Sequence, residues 1–314
     1  MGAGRLTPDH RPAPARRGLL TAALAASVLG LTAASAGTAA TAAQASPVAP
    51  VVRAVPAARA VPAALARPLW LAATPVPPPP SPPAPSRPRP GQVAAKPLHG
   101  KVIGIDPGHN GRNGTDPAFL NRQVWNGREL EDCDTTGTQT NGGYTEARYN
   151  WQVASYLRAD LIRLGARVVL TRHSNNGIGP CVNHRAWDLN HTDVAIDIHA
   201  DGAAASGRGF AVLEPVAHGP NRHVIKPSQR FGRDVRAAFL SHTSMPVSNY
   251  DGVDGIKPRD DLAGLNLTRV PKVLIECGNM RNRTDAALLT SRRFQQNAAR
   301  ALTAAIVGFL RSSS

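Results

Sequence analysis

The chain has 314 residues with 36 Lys/Arg against 21 Asp/Glu, a formal charge of +15. Ten of those cations but a single acid, Asp9, lie in residues 1–98, so the excess is concentrated ahead of the part that can fold. The balance reads either as a basic signal, a basic linker and a mildly basic surface, or as attraction to an anionic polymer outside the cell. Nucleic acid is disfavoured, because no recognition motif is present and the N-terminus reads as an export signal.

Arg11, Arg16 and Arg17 precede an apolar run from Leu19 to Leu31 and then Ala34-Ser35-Ala36. A basic region, a short apolar region and an A-x-A site are the parts of a secretory signal peptide, expected to span residues 1–36. The apolar run is short of the about 20 residues a membrane span needs, so no transmembrane segment is expected after cleavage. Arg16-Arg17-Gly18-Leu19-Leu20 also resembles a twin-arginine signal without its full motif, which leaves the export route open. Residues 37–98 are Ala/Val/Pro-rich and include Pro77-Pro78-Pro79-Pro80. Such a segment cannot bury a core and favours extended polyproline II, so it reads as a linker.

From Lys101 the chain changes character. Lys101–Asp106 is a strand, stopped by Pro107-Gly108. Thr145 suits a helix N-cap, and Ala147, Trp151, Ala154, Leu157, Leu161 and Leu164 follow at three- and four-residue steps until Gly165. Ala166–Thr171 reads as a strand, residues 183–191 as a helix and Asp193–Ile198 as a buried strand. Gly209–Leu213 is a further strand, and Ser228–His242 a helix with Phe231, Val235 and Phe239 on its apolar side. Leu262–Leu267 reads as an edge strand, Val273–Ile275 as a core strand and Phe294–Phe309 as the closing helix. Strands alternating with helices predict an α/β fold for residues 99–314: a single layered domain with a largely parallel twisted sheet flanked by helices. Functional residues are then expected beyond the carboxyl ends of the strands.

Three strands end in metal-binding or proton-transfer residues: Ile105-Asp106-Pro107-Gly108-His109, Asp197-Ile198-His199-Ala200-Asp201 and Ile275-Glu276-Cys277-Gly278. Glu146 adds a carboxylate in the first helical turn. Each has an ordinary alternative: a histidine at a strand end is usually a surface or hydrogen-bonded group, Glu146 could merely suit a helix N-terminus, and Glu276 could pair with an arginine. Taken together, two imidazoles and one carboxylate form the ligand set of a catalytic zinc with a position open to water. Glu276 remains free to move the proton. His173, His184, His191, His218, His223 and His242 have no comparable setting and read as surface or structural, and Asp106 as an orienting group.

These motifs resemble those of the zinc-dependent N-acetylmuramoyl-L-alanine amidases of the AmiC-like, or Amidase_3, family, over about residues 100–310. The resemblance implies His109, Glu146 and His199 as ligands of one Zn2+. The segment Pro271-Lys272-Val273-Leu274-Ile275-Glu276-Cys277-Gly278 implies Glu276 as the catalytic acid–base. Asn279-Met280-Arg281-Asn282 and Asp285 also fit. The sequence departs from the family at Asn110, Asp197, Asp201 and Cys277, none of them a ligand or the base. The implied substrate is peptidoglycan or its muropeptides, in the cell wall or a periplasm-like space, cut during wall remodelling or recycling. Whether a regulatory partner exists stays open. A zinc peptidase acting elsewhere on the stem would share the metal and the base, whereas a non-catalytic wall-binding module is disfavoured, because degenerate members lose ligands or the base and all four residues are present here.

Cys133, Cys181 and Cys277 cannot all pair, and export permits a disulfide. Cys277 follows the base within a core strand, so Cys133 is expected to bond Cys181 and Cys277 to stay free. Residues 110–144 are long for a plain connection and rich in Gly, Asn and Thr; loops of this length are often functional, and a flap beside the metal is expected.

Overall fold

The computed structural model describes residues 96–312, so the expected signal peptide and nearly all of the linker lie outside the described residues. Six strands form one sheet: β1 (Val102–Pro107), β4 (Arg167–Leu170), β5 (Val194–Asp201), β6 (Ala211–Pro215), β7 (Ile256–Arg259) and β8 (Lys272–Asn279). Their order is β4-β1-β5-β8-β6-β7, with β2 (Gln123–Trp125) and β3 (Leu130–Asp132) forming a separate antiparallel hairpin. The four strands β4, β1, β5 and β8 are mutually parallel; β6 runs antiparallel to β8, and β7 parallel to β6. The sheet is therefore mostly parallel, as the alternation of elements predicts.

Helices cover both faces unequally. On one face lie α2 (Glu146–Arg163), α4 (Ile225–His242) and α7 (Arg292–Arg311), with α6 (Arg283–Leu289) beside them. Their apolar sides, including Leu157, Phe231, Phe239, Leu302 and Phe309, meet Ile103, Ile105, Ile196, Ile198, Val273 and Ile275 in one continuous core. Burying a side chain of this size stabilises by about 1.5–3 kcal/mol, which makes this face the rigid one. Leu98 is 1% exposed and belongs to the same core, so the packed body begins ahead of β1.

The other face carries only the short helices α3 (Val182–Asp188) and α5 (Ala263–Asn266), plus the single turn α1 (Pro117–Leu120) and the hairpin in the segment after β1. Its apolar contacts are small separate clusters, such as Leu213, Leu265 and Leu274. Because side chains alternate along a strand, His199 shares this thinly covered face with Asp197, and Glu276 shares it with Leu274. The site is built where the covering is thin.

The expected edge strand over Leu262–Leu267 is instead the helical turn α5. Leu262 and Leu265 are spaced for a turn and not for alternation, and the amides of Asn266 and Leu267 donate back to the carbonyls of Leu262 and Ala263. The edge position is taken by β7, whose Lys257-Pro258-Arg259 give no apolar signal. Charges and proline are the residues that edge strands tolerate. The helix expected at 183–191 ends at Asp188, and β5 runs three residues beyond Ile198, so His199 stands within its strand. Among the described residues no helix is long and apolar enough to cross a membrane.

Candidate active site

His109 enters the site on a strained backbone. It follows β1 with φ at +58°, a left-handed conformation that costs an L-residue roughly 1–2 kcal/mol. Two contacts hold it there. Arg185 on α3 donates to the His109 carbonyl at 3.1 Å, and ring Nδ1 faces Asp134 Oδ1 at 3.2 Å. Nε2 is thereby turned to Glu146, 3.2 Å from its Oε2. The preceding Gly108 cannot carry a side chain, since a Cβ there would fall 2.1 Å from Cε1 of His199.

Glu146 opens α2, with the Thr145 side chain capping that helix by accepting from the Arg148 amide. Its buried carboxylate accepts from the amides of Thr138 at 2.9 Å and Ala200 at 3.2 Å, and from Asn150 Nδ2 at 3.4 Å. Burial pushes the Glu146 carboxyl up, but the His109 and His199 rings beside it win and hold it well below the usual carboxylate range. At His109 burial acts downward, and the Glu146 and Asp134 carboxylates override it, raising the imidazole to about 10.

His199 on β5 approaches from the far side, its Nδ1 2.9 Å from Glu146 Oε1. The parallel register places Glu276 of β8 directly opposite it. One donor atom from each of His109, Glu146 and His199 lies within 4.8 Å of the others. Two imidazoles and a carboxylate so gathered suit a divalent ion such as zinc, with a coordination position left over. Glu276 is not part of that cluster. Its Oε2 is buried without a hydrogen-bond partner among the described residues, an arrangement that leaves it a lone pair for a ligand or a water. Burial, then the charges of Glu146 and Asp201, push its carboxyl well above the usual range.

A cleft of about 200 Å³ runs from His109 and His199 along the sheet to Asp106 and Asp197, walled by Glu131–Thr135 on one side and Leu262–Gly264 on the other. Asp197 pairs with the fully buried Lys272 at 2.9 Å. Asp106 is not one of the three gathered donors: it accepts from Arg185 Nη1 at 2.6 Å and from the Thr171 hydroxyl at 2.5 Å. Burial opposes its charge, but Arg185 and Lys272 bring it down to about 2.

Cys133 and Cys181 are joined by a disulfide, and Cys277 is buried and unpaired. The remaining histidines among the described residues are not part of the cluster; His184, for instance, is exposed and packs edge-on against Trp187. Sequence reasoning did not single out Asp134, Arg185, Asn150 or the Thr138 amide, all of which touch the clustered residues. Asp134 and Arg185 had one available signal, since each lies close in sequence to a cysteine of the bonded pair.

Residues 103–307 match the Amidase_3 family, described as N-acetylmuramoyl-L-alanine amidase. The chain is 43% identical over 218 residues to the N-acetylmuramoyl-L-alanine amidase Rv3717 of Mycobacterium tuberculosis, covering 68% of this chain and 88% of that protein. Its structure is similar to that of the N-acetylmuramyl-L-alanine amidase Ami1 from Mycobacterium smegmatis, with TM-score 0.65, 39% identity, and coverage of 68% of this chain and 99% of the other. The amidase AmiC2 of Nostoc punctiforme, at 19% identity and TM-score 0.51, covers 67% of this chain and 97% of its own, and shares the fold. With residues 103–307 matched to the family and an amidase 43% identical over 218 residues, the chain belongs to the Amidase_3 family of N-acetylmuramoyl-L-alanine amidases.

Proposed function

We propose that the protein is an exported zinc hydrolase that cuts the amide between the lactyl group of N-acetylmuramic acid and L-alanine in peptidoglycan. Family membership supports the reaction class. The observation that carries the zinc reading is the gathering of His109, Glu146 and His199 within 4.8 Å beside an unpartnered Glu276 oxygen. His109 through Nε2, His199 through Nδ1 and Glu146 through a carboxylate oxygen would hold the ion. When bound, zinc supplies a Lewis acid for the scissile carbonyl and lowers the pKa of a water toward ~7.

The chain's own residues do the rest. The amides of Thr138 and Ala200 and the Asn150 side chain orient the Glu146 carboxylate, which the neighbouring His109 and His199 rings keep ionised and ready to serve as a ligand. Glu276, opposite His199 in register, takes the proton from the attacking water and returns it to the departing alanine nitrogen. Its buried setting raises the affinity of that carboxyl for the proton it must carry. The cleft beside His109 and His199 receives the substrate and keeps bulk water from the reacting bond.

We further assign residues 1–36 to a secretory signal peptide, the segment from residue 37 to about 95 to a linker and the remainder, which the buried Leu98 joins, to the catalytic domain, acting in the cell wall or an equivalent extracytoplasmic space. Digestion of purified muropeptides followed by mass analysis tests the reaction. Intact stems beginning with L-alanine are expected, lost on chelation and restored by zinc. Cleavage inside the stem would instead mark a peptidase, and no cleavage under any metal condition a binding module.

A further inference from the structure

We propose that Asp134 and Arg185 are positioning residues for His109, and that the Cys133–Cys181 bond is the clamp that keeps them in place. The inference rests on reading His109 as a metal ligand. Asp134 is 5% exposed, and both of its oxygens are used. Oδ1 accepts from the Thr135 amide at 2.7 Å and faces His109 Nδ1 at 3.2 Å. Oδ2 accepts from Arg185 Nη2 at 3.3 Å and Asn110 Nδ2 at 3.4 Å. The Thr135 carbonyl and hydroxyl also lie 3.2 and 3.3 Å from Nδ1; a carboxylate that accepts the Nδ1–H hydrogen bond fixes the ring's orientation and its tautomer, leaving the Nε2 lone pair for a metal.

Arg185 is 2% exposed and forms the other half of the frame. Nε donates to the Pro180 carbonyl at 3.0 Å, Nη1 to Asp106 at 2.6 Å and to the Pro107 carbonyl at 3.2 Å. Nη2 then spans the His109 carbonyl at 3.1 Å and Asp134. One guanidinium therefore grips the backbone of the strained histidine and the carboxylate that orients its ring. A planar fork suits this task, and lysine would not replace it.

Asp134 itself lies in irregular chain between β3 and α2, with no helix or strand to hold it. Its neighbour Cys133 supplies the anchor. Cys181 is the N-cap residue of α3, the helix that carries Arg185. Beside the disulfide, the Val182 amide donates to the Cys133 carbonyl at 2.8 Å and the Arg185 amide to the Cys181 carbonyl at 3.1 Å. A single covalent link thus fixes the carboxylate and the guanidinium relative to each other.

The test measures zinc affinity of the full chain by competition with a chromophoric chelator, alongside melts of the metal-free protein. The variants are Asp134→Asn, the Cys133→Ser/Cys181→Ser pair, and all three changes together. Asp134→Asn is expected to weaken zinc binding about 10–100-fold while the metal-free melt stays near that of the parent. The serine pair is expected to weaken binding as well, and adding Asp134→Asn to it should cost less than Asp134→Asn costs alone. If the serine pair does not fold, wild-type protein reduced in place supplies the same comparison. Parent-like affinity in Asp134→Asn, or independent effects that simply multiply, would overturn the proposal. A parent that binds no zinc would remove the metal reading beneath it.

Discussion

Glu214 shows how one buried carboxyl outside the site shapes the stability of the whole chain. It sits on β6 at 6% exposure, close under α4, where a Cβ on Gly232 would fall 2.2 Å from its Oε1. That oxygen has no hydrogen-bond partner. Burial, opposed only by Arg233, raises the carboxyl from an ordinary 4.5 to about 7. The native state then binds the proton more tightly than the unfolded chain does. The contribution of this carboxyl to stability is greatest below about 4.5, falls as pH rises from there to about 7, and is flat above. Glu214→Gln should therefore leave urea stability at pH 4.5 nearly unchanged and raise it at pH 8 by about 1–3 kcal/mol. Equal effects at both values would mean that the carboxyl is ionised and paired in the native protein.

At the scale of elements, the rigid face was legible and the site face only in part. The three- and four-residue steps from Ala147 to Leu164 mark α2 because its buried side is continuous, and β1, β5 and β8 read as apolar runs because both their faces are covered. The hairpin and β7 escaped the pattern, since their exposed positions carry no apolar alternation. His109 and Glu146 were readable because they follow β1 and open α2, and His199 and Glu276 because they interrupt the apolar runs of β5 and β8. Asp134 and Arg185 were not, because only the disulfide and the fold of irregular chain bring them to His109.

The long segment after β1 is more ordered than its Gly, Asn and Thr content implies. Its hairpin tip reaches across to the wall opposite: Asn126 Nδ2 donates to the Asp261 carbonyl at 3.3 Å, and Arg128 pairs with Asp260. Removing residues 123–138 whole would also take Asp134 and the Thr138 amide from the site, so the entry role is better tested at the tip. Arg128→Ala is expected to change turnover on polymeric wall more than on a small stem fragment, because only the larger substrate must pass the tip. An identical change on both substrates would rule out a role in entry. The tip's exposed ion pair is worth at most about 1 kcal/mol, so the variant should fold normally.

For the whole molecule, the strongly packed face holds the sheet rigid while the thin face leaves room for a cleft. That division explains why strained His109 and uncompensated Glu276 are tolerated: the large core stabilises a geometry that the local residues would not choose. The central claim is that three residues hold zinc while a fourth moves the proton. The most direct measurement pairs metal content with stem release for Glu276→Gln and, beside it, His199→Ala. Glu276→Gln should keep its zinc and lose about 10²–10⁴-fold in turnover, whereas His199→Ala should lose both. A folded Glu276→Gln protein without zinc, or one that still releases stems at the parent rate, would contradict the account.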